Sequence, residues 1–237
     1  LLGKKSIIEG LINEYSIEFQ DVEIIDPKSD DETERRKAFG LQFFEKRKRK
    51  GVTEFEAIQL MRERNHFGAM MVESGDADAM ISGITRNYRD VVRPAIQTVG
   101  VQKGMTKVAG MYILNTKRGP LFLADTTINL NPSAKDIAEI TSNVAKTIRK
   151  FKVTPRVALL SYSNFGSSIG EDAEKMAEAT RILHEEDPNL IVDGEVQANF
   201  ALNNGLMDEN FSFSTLSNKK VNTLIFPNLS SGNIAYK

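Results

Sequence analysis

In the second half of the chain, short apolar runs alternate with one-sided amphipathic helices. Residues 156–161 read as a strand and 171–186 as a helix. Residues 190–192 and 221–226 read as further strands. Strands separated by helical patterns of this length demand parallel pairing with helices packed on the sheet, because a parallel crossover needs a helix to return the chain. Ahead of them, residues 108–115 and 121–128 are apolar and joined by Lys117-Arg118-Gly119, the signature of a hairpin. Asn131-Pro132-Ser133 then opens a helix in which Ile137, Ile140, Val144, Ile148 and Phe151 recur at spacings of three and four. The fold class is α/β, with mostly parallel sheets.

The first half carries the same alternation less regularly. Residues 1–3 read as the tail of a strand and 4–14 as a helix with Ile7, Ile8, Leu11 and Ile12 on one side. Residues 22–25 form a further strand closed by Asp26-Pro27. Ser29/Glu32 and Thr53/Glu56 have capping-box spacing. A helix is expected to end at Gly75, followed by a short strand at Ala79-Met80-Ile81, a turn at Gly83 and a helix opening near Tyr88. A boundary between Gly100 and Gly104 divides the chain into domains 1–101 and 102–237.

Composition excludes several classes of function. The 237 residues include no cysteine, so no disulfide framework, thiolate nucleophile or cysteine-ligated metal is available. His66 and His184 are the only histidines, too few for a histidine-based metal site without carboxylates at suitable spacing. Net charge is −1, which gives no general field for nucleic acid or an anionic membrane. The basic run at 46–50 reads either as a phosphate-binding patch or as a solvated helix end whose cations complement the dipole. No run is long and apolar enough to span a bilayer, and a cytoplasmic location is expected. The chain starts without Met and reads as a piece of a longer protein.

Three strand-to-helix loops are candidate ligand sites, since ligands of open α/β sheets gather at the carboxyl ends of strands. The first holds Thr85, Arg86, Asn87 and Tyr88, with Arg93 in the helix that follows. Ser163, Asn164, Phe165, Gly166, Ser167 and Ser168 make up the second, in which successive N–H groups can form an anion nest. The third runs from Phe226 through Asn228 to Asn233, where the asparagines either meet a ligand or only cap the chain. Asp76, Asp78 and Asp125 stand near strand ends without the paired spacing of a general acid and base.

Seven segments together, GDADAMISG, VVRPAIQ, FLADTTIN with NPSAKDIAEI, PRVALLSYSNFGSS, IVDGEVQAN and IFPNLSSGNIAYK, resemble the phosphate acetyl/butyryltransferase family over essentially the whole chain. The resemblance implies two three-layer α/β/α domains around a cleft, a dimer formed through the second domain, and acyl-CoA as ligand. It also implies that the family's first strand and helix, and a C-terminal Ser-Arg-Gly segment with its catalytic groups, lie outside these residues. Asn87 and Tyr88 replace a hydroxyl pair, and Phe165 stands in a loop that is similar to a Ser-Thr-Lys-Gly segment in the free-standing enzymes. These features, with Arg64-Asn65-x-Phe67-Gly68, resemble the C-terminal domain of large hybrid malic enzymes. Tyr88 and Phe165 would fill space that a reacting acyl group needs, so the resemblance implies no catalytic residue here. It implies acetyl-CoA as an effector, with NADP and a divalent metal confined to the parent malic enzyme's other domain, and Arg93 at the CoA phosphates. The alternatives are a phosphate acetyltransferase and a purely structural dimerisation domain.

Overall fold

The structure, a computed structural model, describes residues 1–18 and 22–237. Two compact units divide the chain, Leu1–Gln102 and Lys103–Lys237.

The second unit contains a five-stranded sheet. Its strands are β1 (Tyr112–Thr116), β2 (Gly119–Ala124), β3 (Arg156–Leu160), β4 (Ile191–Val196) and β5 (Thr223–Ile225), in the spatial order β1-β2-β5-β3-β4. The β1–β2 hairpin is antiparallel, and every other pairing is parallel. Side chains alternate across the sheet with a two-residue period, except in β4, where a register shift opposite Leu159 and Leu160 turns Val196 to the face opposite Val192. Phe122, Val157, Leu159, Val192 and Ile225 face one layer, whereas Leu123, Ala158, Leu160, Val196 and Leu224 face the other.

Two long helices cover the first face, α6 (Ala134–Lys150) and α7 (Glu171–Glu186). Ser133 caps α6 through its side chain, and Asp136 returns the bond to the Ser133 N–H, which satisfies two orphan donors at once. Ile137, Ile140, Val144 and Ile148 are buried against the strands and against Met176, Ala179 and Leu183 of α7. Each such side chain contributes about 1.5–3 kcal/mol of burial. The opposite face is covered by α8 (Ala198–Ala201), α9 (Asn204–Asn210) and Leu216, with Ala201 and Met207 as the buried contacts. The α6 stripe is therefore spent within its own unit. Only Phe151, past the helix end and 56% exposed, is left for any outside surface. Helix α10 (Leu229–Tyr236) follows β5.

The first unit packs α2 (Thr33–Arg47), α3 (Glu54–Leu60), α4 (Arg64–Ser74) and α5 (Tyr88–Thr98) around Phe39, Phe43, Ala57, Met61, Phe67 and Met70. The Thr53/Glu56 box forms. At Ser29 no side-chain cap forms: residues 30–32 make a 3₁₀ turn, and buried Arg36 donates instead to the carbonyls of Pro27 and Ser29. Helix α4 ends on Gly75 at φ +81°, the left-handed conformation that glycine takes without a Cβ penalty. Residues 79–81, expected as a strand, are not one. Among the described residues of this unit the only strand pairing is a parallel bridge between Leu2 and Ile25, so no neighbouring edge holds them and Ile81 is fully exposed. Helix α1 (Lys5–Glu14) buries no residue, and its apolar Ile7 and Leu11 are exposed.

Candidate functional site

In the second unit β2, β5 and β3 are neighbours and run parallel, so the loops that leave them emerge along one edge of the sheet. The loop after β2 is organised by Asp125. This buried carboxylate accepts the N–H groups of Gly110 (2.9 Å), Thr127 (3.0 Å), Ile128 (3.2 Å) and Asn129 (2.7 Å). All its capacity is spent on turning the chain, which leaves none for proton transfer.

The loop after β5 starts α10. Asn228 accepts the Ser231 N–H at 3.0 Å as the helix cap and donates to Asp172 at 3.1 Å. Asp172 also accepts from Lys175 (2.7 Å), whose ammonium reaches Asn131 Oδ1 at 3.0 Å. Asn131, Asp172 and Asn228 line a cavity of about 480 Å³, together with Leu130, Tyr162, Glu171 and Ser230. Asn233 points elsewhere and donates to the Thr126 carbonyl at 3.3 Å. A Cβ at Gly232 would collide with the Asp125 carbonyl oxygen and stand 3.2 Å from Thr126 Cα, so the backbone of α10 packs directly on the β2 loop.

The loop after β3 does not offer the free N–H groups of an anion nest. All six of its donors are used inside the unit. Ser163 N–H goes to Ser161 Oγ, Asn164 N–H to Ser167 Oγ, and Phe165 N–H to the Glu195 carbonyl. Gly166 N–H goes to Glu195 Oε1 at 2.6 Å, Ser167 N–H to the Asn164 carbonyl, and Ser168 N–H to Ser163 Oγ. The carboxylate of Glu195, 3% exposed on β4, sits where a bound anion would sit. It also accepts from Ser163 Oγ at 2.9 Å. A serine beside a carboxylate has the form of an activated nucleophile, but this hydroxyl is fully buried and out of a substrate's reach. Asn164 is buried as well and accepts the Gln197 N–H at 2.8 Å. Gly166, Ser167 and Ser168 form the exposed rim.

Phe165 takes a left-handed backbone conformation at φ +47°. Its ring lies 4.9 Å from that of Phe211 and 5.1 Å from that of Phe213. The ring is thus engaged with its own unit's aromatic cluster rather than standing over the loop as free bulk.

In the first unit Thr85, Arg86, Asn87 and Tyr88 are all exposed. Thr85 and Arg86 border a groove of about 970 Å³ that also exposes Leu2, Met80 and Ile84. Asn87 precedes α5 in extended conformation and makes no side-chain cap. Arg93 is exposed and forms no ion pair among the described residues, with Asp90 or any other acid. Asp76 is committed to Arg35 at 2.6 Å. His66 stacks edge-on against Phe43 at 5.7 Å, and its buried Nε2 has no hydrogen-bond partner among the described residues. Burial pushes the imidazole below the usual histidine range; Gln97 and Glu63 oppose this only in part, and Arg93 reinforces it. His184 contacts the Val192 carbonyl at 2.9 Å. No group of three or more metal-ligating side chains occurs among the described residues, and no helix there is long and apolar enough to cross a membrane.

A mostly parallel sheet with helices on both faces and strand-end loops along one edge defines the second unit as a three-layer α/β/α protein. The family model described as phosphate acetyl/butaryl transferase matches residues 1–237, and the chain belongs to that family. It is 34% identical to a phosphate acetyltransferase of Helicobacter pylori, over all of this chain and 45% of that protein. With an NADP-dependent malic enzyme of Escherichia coli it shares 35% identity, over all of this chain and 31% of that protein. A solved phosphotransacetylase from Streptococcus pyogenes superposes with a TM-score of 0.86 at 32% identity, covering 99% of this chain and 70% of that one. The chain spans less than half the length of these two curated relatives.

Sequence reasoning missed Glu195 and Asp193, and took Asn65 only as part of a family motif. Asp193, buried on β4, accepts from Ser214 Oγ and from the Thr215 N–H, each at 2.8 Å. The available signal was a pair of acids inside an otherwise apolar strand, IVDGEV, which is costly unless each acid is fully bonded.

Proposed function

We propose that this chain is a phosphotransacetylase-like domain that binds acetyl-CoA as an effector within a hybrid malic enzyme, and does not itself transfer the acetyl group. The observation that carries this reading is a division of labour between the two halves of the motif set. Arg93 keeps an exposed guanidinium with no ion-pair partner among the described residues, suited to bidentate phosphate contacts. In the Ser163–Ser168 loop all six backbone donors are engaged, and the one hydroxyl that stands beside a carboxylate, Ser163, is buried. Binding chemistry is retained where reactive chemistry is not.

NADP and a divalent metal belong, in this reading, to the parent enzyme's malate-oxidising domain. The domain pairs with a second copy through its second unit. A phosphate acetyltransferase is the second reading, favoured by the 34% identity to the H. pylori enzyme. Calorimetric titration of the protein with acetyl-CoA tests the first reading. Saturable binding at micromolar to submillimolar concentration is expected, and the absence of heat up to millimolar ligand overturns it.

A further inference from the structure

Pro94 lies inside α5, where it has no N–H to give the carbonyl four residues earlier. That carbonyl belongs to Asp90, and it is not left open: Asn65 Nδ2, on α4, donates to it at 2.8 Å. The other half of the same amide, Asn65 Oδ1, accepts from Ser82 Oγ at 2.8 Å. One side chain therefore ties α4 to both the 76–87 loop and the proline-interrupted helix. Thr85, Arg86, Asn87 and Tyr88 lie in sequence between the two tied points, and Arg93 immediately precedes Pro94.

The loop needs such a tie. Residues 81–90 are exposed throughout, and 76–87 contain no regular structure, so no buried apolar side chain fixes their path. The start of the loop is held by Asp76 on Arg35 at 2.6 Å, by the Ala77 N–H on the Met71 carbonyl at 3.2 Å and by Met80 against Gly68, whereas over 81–87 the turn between Gly83 and Arg86 is weak, at 3.4 Å. An amide side chain donates to the backbone carbonyl through its nitrogen and accepts from the hydroxyl through its oxygen, two separate atoms that reach two separate segments; Asp would lose the donor and Ala both. We propose that Asn65 is the positioning residue that holds the 85–93 segment, including Arg93, in its ligand-binding conformation. This inference rests on the acyl-CoA reading of that segment.

The test combines amide hydrogen exchange with acetyl-CoA titration on the full chain. Asn65→Ala is expected to speed exchange across 82–98 while leaving α6 and α7 as protected as before. It is also expected to weaken acetyl-CoA binding about fivefold to tenfold. In an Arg93→Ala background the same substitution should cost less further affinity than it does alone, because part of its effect runs through Arg93. Pro94→Ala supplies the Asp90 carbonyl with a helical donor, so adding Asn65→Ala to it should change exchange within α5 little. A side chain that merely filled space would give the same loss with or without Pro94. Ser82→Ala, an exposed change, should loosen 82–87 alone. Unchanged exchange in Asn65→Ala overturns the proposal, as does an affinity loss that simply adds to that of Arg93→Ala. Should the unmodified protein bind no acetyl-CoA, the acyl-CoA reading fails by itself, and the exchange pattern still decides whether Asn65 holds the segment.

Discussion

Glu195 Oε1 accepts the Gly166 N–H at 2.6 Å, so a buried carboxylate from β4 occupies the concave side of the β3 loop. Removing it strands the Gly166 N–H and the Ser163 hydroxyl, each at a cost of about 1–3 kcal/mol. Glu195→Ala should therefore lower unfolding free energy by about 3 kcal/mol in urea titrations at neutral pH. Glu195→Gln keeps an acceptor and should cost about 1 kcal/mol. An alanine variant within about 0.5 kcal/mol of the parent would show that the loop does not depend on this contact.

Arg93 has no ion pair to lose among the described residues, so Arg93→Ala should leave the melting temperature unchanged within the range of ordinary surface substitutions. Loss of a charge-assisted phosphate contact should weaken acetyl-CoA binding by about tenfold to a hundredfold. Unchanged affinity accompanied by a lower melting temperature would assign Arg93 a structural role instead.

His66 gives the first unit a pH dependence with a definite sign. Its folded-state pKa is depressed, chiefly by burial, below the ordinary value of about 6.5, so the unfolded chain binds more protons between the two values. The stabilising contribution of the neutral ring is fully present above about pH 6.5 and is lost as pH falls through the folded value. Thermal melts between pH 7.5 and 5 should show decreasing stability, and His66→Gln should flatten that slope. An equal slope in the variant would place the effect elsewhere.

Strand β1 is an edge of the sheet, with Ile113 48% exposed, and Phe151 adds apolar surface in the same unit. The proposed pairing of two copies should bury roughly 2,000 Å² or more. Light scattering at micromolar concentration should give the mass of two 26.4 kDa chains, and Ile113→Glu should shift it toward one. A single-chain mass for the unsubstituted protein would refute the dimer.

What could be read from the sequence was local or periodic. The Ser133/Asp136 cap, the α6 stripe, the stop at Gly75 and the β1–β2 hairpin each depend on residues within one or two turns of one another. What could not be read depended on distant partners. The 79–81 segment has strand composition, but a strand exists only beside another edge. The 163–168 loop has nest composition, and its donors are filled by an acid 29 residues beyond Gly166. Asn65 resembles any exposed helical asparagine until Pro94, also 29 positions away, frees the Asp90 carbonyl that it meets 25 residues along the chain. The relatives named above place this chain in its family without separating transferase from regulatory domain, because identity to both kinds is equal to within a point, 34% and 35%.

That separation comes most directly from phosphate-dependent release of CoA. The protein is mixed with acetyl-CoA at a concentration that saturates binding, inorganic phosphate is added, and free thiol is followed over time. The reading of a binding domain without transferase chemistry predicts no release above the background without protein. Release at an enzymatic turnover, on the order of 1 per second or faster, would contradict it and make the chain a working phosphate acetyltransferase.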